Sequence, residues 1–241
     1  MKHVQNKVLI IYLIILQLSI ACFLIYPESS YRLLVKFGVL SQDPDSTSHY
    51  KEMLRFHLQM DENVPDKAIL FIGDSITQSL VTSAVTPKSV NFGIGSDTTV
   101  GVLNRVALYR SVQSSAAIVL AIGVNDLKLR ENKQIIHNYK KIISLLPTDT
   151  PLLFSAIFPI NENVRNDVWN NRIHALNKIM EAHCVSRVNC YFLNTGEKFL
   201  NEDSSIKQEY VMQDGIHLSN KGYNMWILDL KDTLSYILNI R

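Results

Sequence analysis

Cysteine is nearly absent from this chain, with three in 241 residues, at positions 22, 184 and 190. So few cysteines exclude a scaffold built on disulfides, and no Cys-His spacing here suits a zinc site. Cys184 and Cys190 stand close enough in sequence to close a small loop, or to remain two core thiols. A dominant charge is missing too. Lys and Arg number 24 against 22 Asp and Glu, and the basic residues are dispersed rather than gathered into a stripe, so nothing marks a nucleic-acid binder. There is no internal repeat and no low-complexity tract. What the chain does have is apolar mass: 47% hydrophobic residues, enough to bury one sizeable core and to exclude a disordered chain.

Part of that mass is concentrated at the start. Val8 to Tyr26 carries no charge and only Gln17 and Ser19 as clearly polar side chains, a run just long enough to span a bilayer core as a helix. Lys2 and Lys7 precede it, and positive flanking charge favours a cytoplasmic N-terminus. The expectation is residues 1–7 in the cytoplasm, a single-pass anchor over 8–26 in the cytoplasmic membrane, and the remainder outside it. A cleaved signal peptide is the rival, because Ser19-Ile20-Ala21 offers small residues near its end. Lipidation at Cys22 and a buried N-terminal helix are further alternatives.

Residues 27–65 read as a connector with short helices, broken at the polar Gln42 to Ser48 stretch and ending in a helical pattern from His49 to Met60. From Asp66 the pattern changes. Short apolar runs at Ala68 to Ile72, Ser89 to Phe92, Ala117 to Ile122, Pro151 to Phe158 and Asn189 to Leu193 alternate with amphipathic stretches. The clearest of these places Ile135, Ile136, Tyr139, Ile142, Ile143 and Leu146 at helical spacing; others run from about Asn166 to Ala182 and from Asn220 to Leu238. Near-continuous apolar strands alternating with helices imply a doubly wound parallel sheet in three α/β/α layers over residues 66–241. Such sheets bind ligands at the carboxyl ends of their strands.

The chemistry-bearing residues fall at those ends. Gly73-Asp74-Ser75 follows the first strand, where Gly73 allows a sharp turn and Ser75 starts a helix whose free N–H groups and dipole favour developing negative charge. By itself this tripeptide is more often a helix N-cap with a structural duty. The second strand runs into Asn91-Phe92-Gly93-Ile94-Gly95-Ser96-Asp97-Thr98-Thr99 and the third into Gly123-Val124-Asn125-Asp126. A loop N–H and the Asn125 amide are suited to an oxyanion hole. A phosphate cradle is the alternative, but the loop lacks both glycine-rich nucleotide spacings. Asp214-Gly215-Ile216-His217 completes the set, since a carboxylate three residues before a histidine can accept from Nδ1 and leave Nε2 free as a base. Of the seven histidines only His217 has this partner.

Together these four blocks, in order between roughly Asp66 and Asp232, resemble the SGNH (GDSL-type) hydrolases, and the loop phrase is most similar to the branch of platelet-activating-factor acetylhydrolase-like and lysophospholipase-like esterases. The resemblance implies a flavodoxin-like fold, Ser75 as nucleophile, His217 as base, Asp214 as its orienter, and an oxyanion hole from Asn125 with backbone N–H groups of Ser75 and Ser96. Gly93, Gly95 and Asp74 would support the loops. Neither metal nor cofactor is implied, and no nucleic acid. That branch usually carries a second glycine where this chain has Ser96. The expected activity is hydrolysis of carboxylic esters, of a lipid or an envelope carbohydrate. The rival classes are a binding module that keeps the fold without catalysis and a flavodoxin-like cofactor carrier.

Overall fold

The computed structural model describes residues 47–202 and 204–239, with isolated helical positions at 12–14, 16, 17 and 21. Residues 44–241 form one compact unit. Among the described residues no helix is long and apolar enough to cross a membrane. Apart from the isolated positions, the segment read as an anchor, 8–26, lies outside the described residues, as does most of the 27–65 connector.

Five strands form one sheet in the order β2-β1-β3-β4-β5: β1 Ile69–Gly73, β2 Ser89–Gly93, β3 Ala117–Ala121, β4 Leu152–Ser155 and β5 Cys190–Leu193. Every pairing is parallel. The order reverses beside β1, which makes the β1/β3 crevice the expected ligand position of a flavodoxin-like sheet. Central β1 and β3 are buried along their whole length, as strands covered on both faces must be, whereas edge strand β5 is half-buried throughout.

The helices are α1 Ser48–Asp61, α2 Ser75–Gln78, α3 Thr82–Val85, α4 Thr99–Val106, α5 Asn132–Leu145, α6 Glu162–Arg165, α7 Asn170–Val185 and α8 Asn220–Ile237. Helices α4, α5 and α7 are successive neighbours, while α8 packs with α3. Side-chain caps start several of them: Thr47 accepts from Tyr50 N–H, Thr98 from Val100 N–H and Ser219 from Gly222 N–H. On α8 the buried residues Trp226, Leu230 and Leu234 recur at helical spacing, and Trp226 Nε1 donates to Ser155 Oγ at the end of β4 at 3.1 Å. Helix α1 is tied to α4 and the segment after it, with Tyr50 Oη donating to the Gly101 carbonyl at 2.9 Å and Asp61 accepting from Arg110 N–H at 2.6 Å. Cys184 and Cys190 form a disulfide joining the end of α7 to the start of β5.

Candidate active site

Sheet register brings the loops together before any side chain is considered. Gly73 pairs with Gly93 on one side and with Ala121 on the other, so the chains leading to Ser75, Ser96 and Asn125 leave the sheet at one level. Gly73 is required for close approach rather than for a turn: a Cβ there would stand 2.1 Å from the Ala121 carbonyl oxygen and 2.2 Å from Thr77 Oγ1. Gly123 does need its freedom, with φ at +131° and Tyr139 Oη 2.2 Å from where a Cβ would sit.

Ser75 Oγ lies 2.8 Å from His217 Nε2, and His217 Nδ1 lies 2.5 Å from Asp214 Oδ2. Asp214 Oδ1 accepts from the N–H groups of Ile216 and His217, each at 3.0 Å. Partial burial raises the Asp214 carboxyl, but the hydrogen bonds from the imidazole and these two amides outweigh it and hold it below the usual carboxylate range. An ionised Asp214 accepts from Nδ1–H, which leaves Nε2 to accept the Ser75 hydroxyl proton. The loop itself is pinned, with Met212 N–H donating to the His217 carbonyl at 2.7 Å and Asn161 N–H to the Gly215 carbonyl at 2.8 Å.

Helix α2 has only four residues, too short for a useful macrodipole, so the Ser75 amide and not a helix field is what it offers an oxyanion. Asp74 caps it by accepting from Ile76 N–H at 2.9 Å. Burial pushes Asp74 up to about 7; the Ile76 amide opposes that, and Asp97 and Asp126 add to it. Ser96 is exposed at the turn with φ +63°, the left-handed region that favours glycine. Gly95 N–H is already engaged by Gln78 Oε1, and Gly93 N–H by Asn91 Oδ1 at 2.9 Å. Asn125 Nδ2 donates to the Asp97 carbonyl at 2.9 Å, tying the third loop to the second.

Several supporting residues escaped sequence reasoning. Asn91 lies in β2, within the strand read from the sequence, but its side-chain role was not: its amide donates to the Thr77 and Leu80 carbonyls at 2.7 and 2.9 Å, holding α2 against the sheet. Asp126 accepts from Thr99 N–H at 2.8 Å and Thr99 Oγ1 at 2.6 Å; its Asn-Asp dipeptide was the only signal. Tyr223 Oη donates to the Ile76 carbonyl at 2.9 Å from α8. Arg105 and Tyr109, buried under the loops, left no trace in any motif.

A parallel sheet with a serine, histidine and carboxylate in hydrogen-bonded sequence at its carboxyl end defines the serine hydrolase class. The GDSL-like Lipase/Acylhydrolase family matches residues 71–225, and the chain belongs to that family. It is an ester-hydrolysing serine hydrolase. The chain is 26% identical over 182 residues to the platelet-activating factor acetylhydrolase IB subunit alpha2 of Bos taurus and of Homo sapiens, covering 70% of this chain and 76% of each relative. A solved structure from Streptococcus pneumonia whose description refers to platelet activating factor is similar at TM-score 0.72 and 25% identity, over 86% of this chain and 98% of that one. A GDSL-like lipase from Bacteroides thetaiotaomicron shares the fold at TM-score 0.66 and 18% identity, over 76% of this chain and 97% of that one.

Proposed function

We propose that the chain hydrolyses carboxylic esters through Ser75, His217 and Asp214, with the Ser75 and Ser96 amides and the Asn125 side chain as oxyanion donors. The observation that carries this reading is the unbroken hydrogen-bond path from Ser75 Oγ through His217 to Asp214. Ser75 Oγ attacks the ester carbonyl while its proton passes to His217 Nε2. The tetrahedral oxyanion collapses, and the alcohol leaves with that proton. Water then attacks the acyl-enzyme, gives its proton to His217, and releases the carboxylic acid as Ser75 is reprotonated.

Lipid esters and O-acetylated carbohydrates are the two substrate groups to compare. Similarity to acetylhydrolases named for platelet-activating factor favours a lipid ester with a short acyl group. The uncharged Val8-to-Tyr26 run behind Lys2 and Lys7 supports a membrane-anchored enzyme facing outward, near such lipids. The test is a panel of p-nitrophenyl esters of rising chain length, lysophospholipids, acetylated glycerophospholipids and O-acetylated sugars, each assayed with wild type and Ser75→Ala. Turnover that requires Ser75 and prefers the acetylated lipid agrees with the proposal; turnover unchanged in Ser75→Ala contradicts it.

A further inference from the structure

Beneath the loops that frame Ser75 lies a cation for which the hydrolytic steps have no use. Arg105, on α4, has no solvent exposure in its side chain, and neither has its partner Asp97. A guanidinium removed from water is costly unless its donors are matched. Nε donates to Asp97 Oδ2 at 2.9 Å, Nη2 approaches the same oxygen at 2.8 Å, Nη1 donates to Tyr109 Oη at 2.8 Å, and Nη2 also reaches the Gly73 carbonyl at 3.1 Å. Burial alone would lower the guanidinium pKa, but Asp97 and then Tyr109 outweigh it, so Arg105 stays charged.

Its partners occupy particular places. Gly73 ends β1 two residues before Ser75, and its carbonyl also accepts Ile94 N–H at 3.0 Å, at the entry to the second loop. Asp97 directly follows Ser96, and its own carbonyl receives the Asn125 amide at 2.9 Å. One buried cation therefore links the strand end that presents Ser75, the turn that presents the Ser96 amide, and, through the Asp97 main chain, the Asn125 side chain. Replacing a buried ion pair by apolar residues of similar volume is often neutral or stabilising, so core stability alone does not explain this pair. Directional bonds to separate loop ends do what apolar packing cannot.

We propose that Arg105, held by Asp97, is a positioning residue for the oxyanion hole: it fixes the Ser96 amide and the Asn125 side chain relative to Ser75 before the carbonyl oxygen gains charge. It touches no substrate. The inference rests on the assignment of Ser75, Ser96 and Asn125 made above. The test combines Arg105→Met with Asp97→Asn, so that neither charge is left alone, and sets this beside Arg105→Lys, which keeps the charge but cannot span Asp97, Tyr109 and the Gly73 carbonyl together. Active sites are titrated with a fluorophosphonate. The measurements are then kcat per labelled site and KM for p-nitrophenyl acetate, and the Ki of a trifluoromethyl ketone that forms a tetrahedral adduct on serine. A loosened oxyanion hole lowers kcat per labelled site by ~10-fold or more, leaves KM within about threefold, and raises Ki by the factor that kcat/KM loses. A purely structural pair would instead change the melting temperature and the fraction of sites labelled, with kcat per labelled site within about twofold of wild type. That result overturns the proposal. Should the paired variant not fold, Arg105→Lys and the single Asp97→Asn are judged by the same measurements. Failure of the nucleophile assignment would show separately, as wild-type turnover that survives Ser75→Ala.

Discussion

At +63°, the φ of Ser96 places a residue with a side chain where glycine is at ease, at a cost of about 1 kcal/mol. In the proposed oxyanion hole the same residue supplies a main-chain N–H, so the strained position and the proposed donor coincide. Ser96→Gly is therefore expected to keep kcat within about tenfold of wild type and to leave the melting temperature unchanged or raise it slightly, because relief of the strained φ offsets the extra freedom of glycine in the unfolded chain. A larger fall in kcat in a folded Ser96→Gly protein would give the hydroxyl a direct role. Ser75→Ala and His217→Ala are each expected to lower kcat by ~10³-fold or more while circular dichroism and melting stay native. Activity within tenfold of wild type in either variant would exclude that residue from the chemistry. These residues were legible in the sequence because each sits in a short local pattern, a serine after Gly-Asp and a histidine three residues after an aspartate. Arg105 was not, since its contacts are with Gly73 at the end of β1, Asp97 in the loop before α4 and Tyr109 in the loop after it.

Elements decide whether those side chains meet. The apolar runs of β1 and β3 announced themselves because strands covered on both faces cannot alternate with polar residues, and their bounds lie within a residue of the sequence reading. The reading of 151–158 as one strand overran, since β4 stops at Ser155; Ala156 to Phe158 are buried, but after a last bond from Ala156 N–H to the Leu193 carbonyl at 2.8 Å the Ile157 main chain pairs with the Asn177 side chain instead of a strand. Hydrophobicity reports burial there, not strand geometry. Helix α4 was missed because its one turn of apolar spacing is interrupted by Gly101 and Asn104 and is nucleated by the Thr98 cap. At this scale Gly73→Ala is expected to destabilise the protein by about 2 kcal/mol or more, as the new methyl meets the Ala121 carbonyl and the buried Thr77. Denaturant unfolding would measure it, and a change under about 0.5 kcal/mol would show that β1 and β3 can separate freely. The cap Asp74 gives a pH signature. Its folded value, about 7, lies above the ordinary 3.8, so its contribution to stability is complete below 3.8 and is lost as pH rises through 7. Relative to Asp74→Asn, wild type should lose melting temperature steadily between pH 4 and 8. A difference between the two proteins that is flat over that range would contradict the buried, proton-binding cap.

On the scale of the whole molecule, the order β2-β1-β3-β4-β5 puts the point of reversal beside β1, the strand that leads to Ser75, and the last loop before α8 brings His217 and Asp214 to the same mouth. Alternation of strands and helices was enough to infer a parallel doubly wound sheet, since parallel neighbours require crossovers. The pairing across the sequence from Ser75 to His217 had no local cue beyond the two motifs. If the 8–26 run anchors the chain, full-length protein should sediment with membranes, resist high-salt extraction, and expose residues 44–241 to protease added from the outer side. Protection until the cytoplasmic face is opened would reverse the orientation, and an N-terminus mapped beyond Ala21 would show cleavage.

The central claim is that Ser75 is the nucleophile and that His217 activates it. The direct measurement is intact mass and peptide mapping after reaction with a fluorophosphonate, carried out on wild type, Ser75→Ala and His217→Ala. A single adduct on Ser75 in wild type, none in Ser75→Ala, and labelling slowed by ~10²-fold or more in His217→Ala is the predicted result. An adduct on another residue, or esterase turnover that persists in wild type with Ser75 fully labelled, would contradict it.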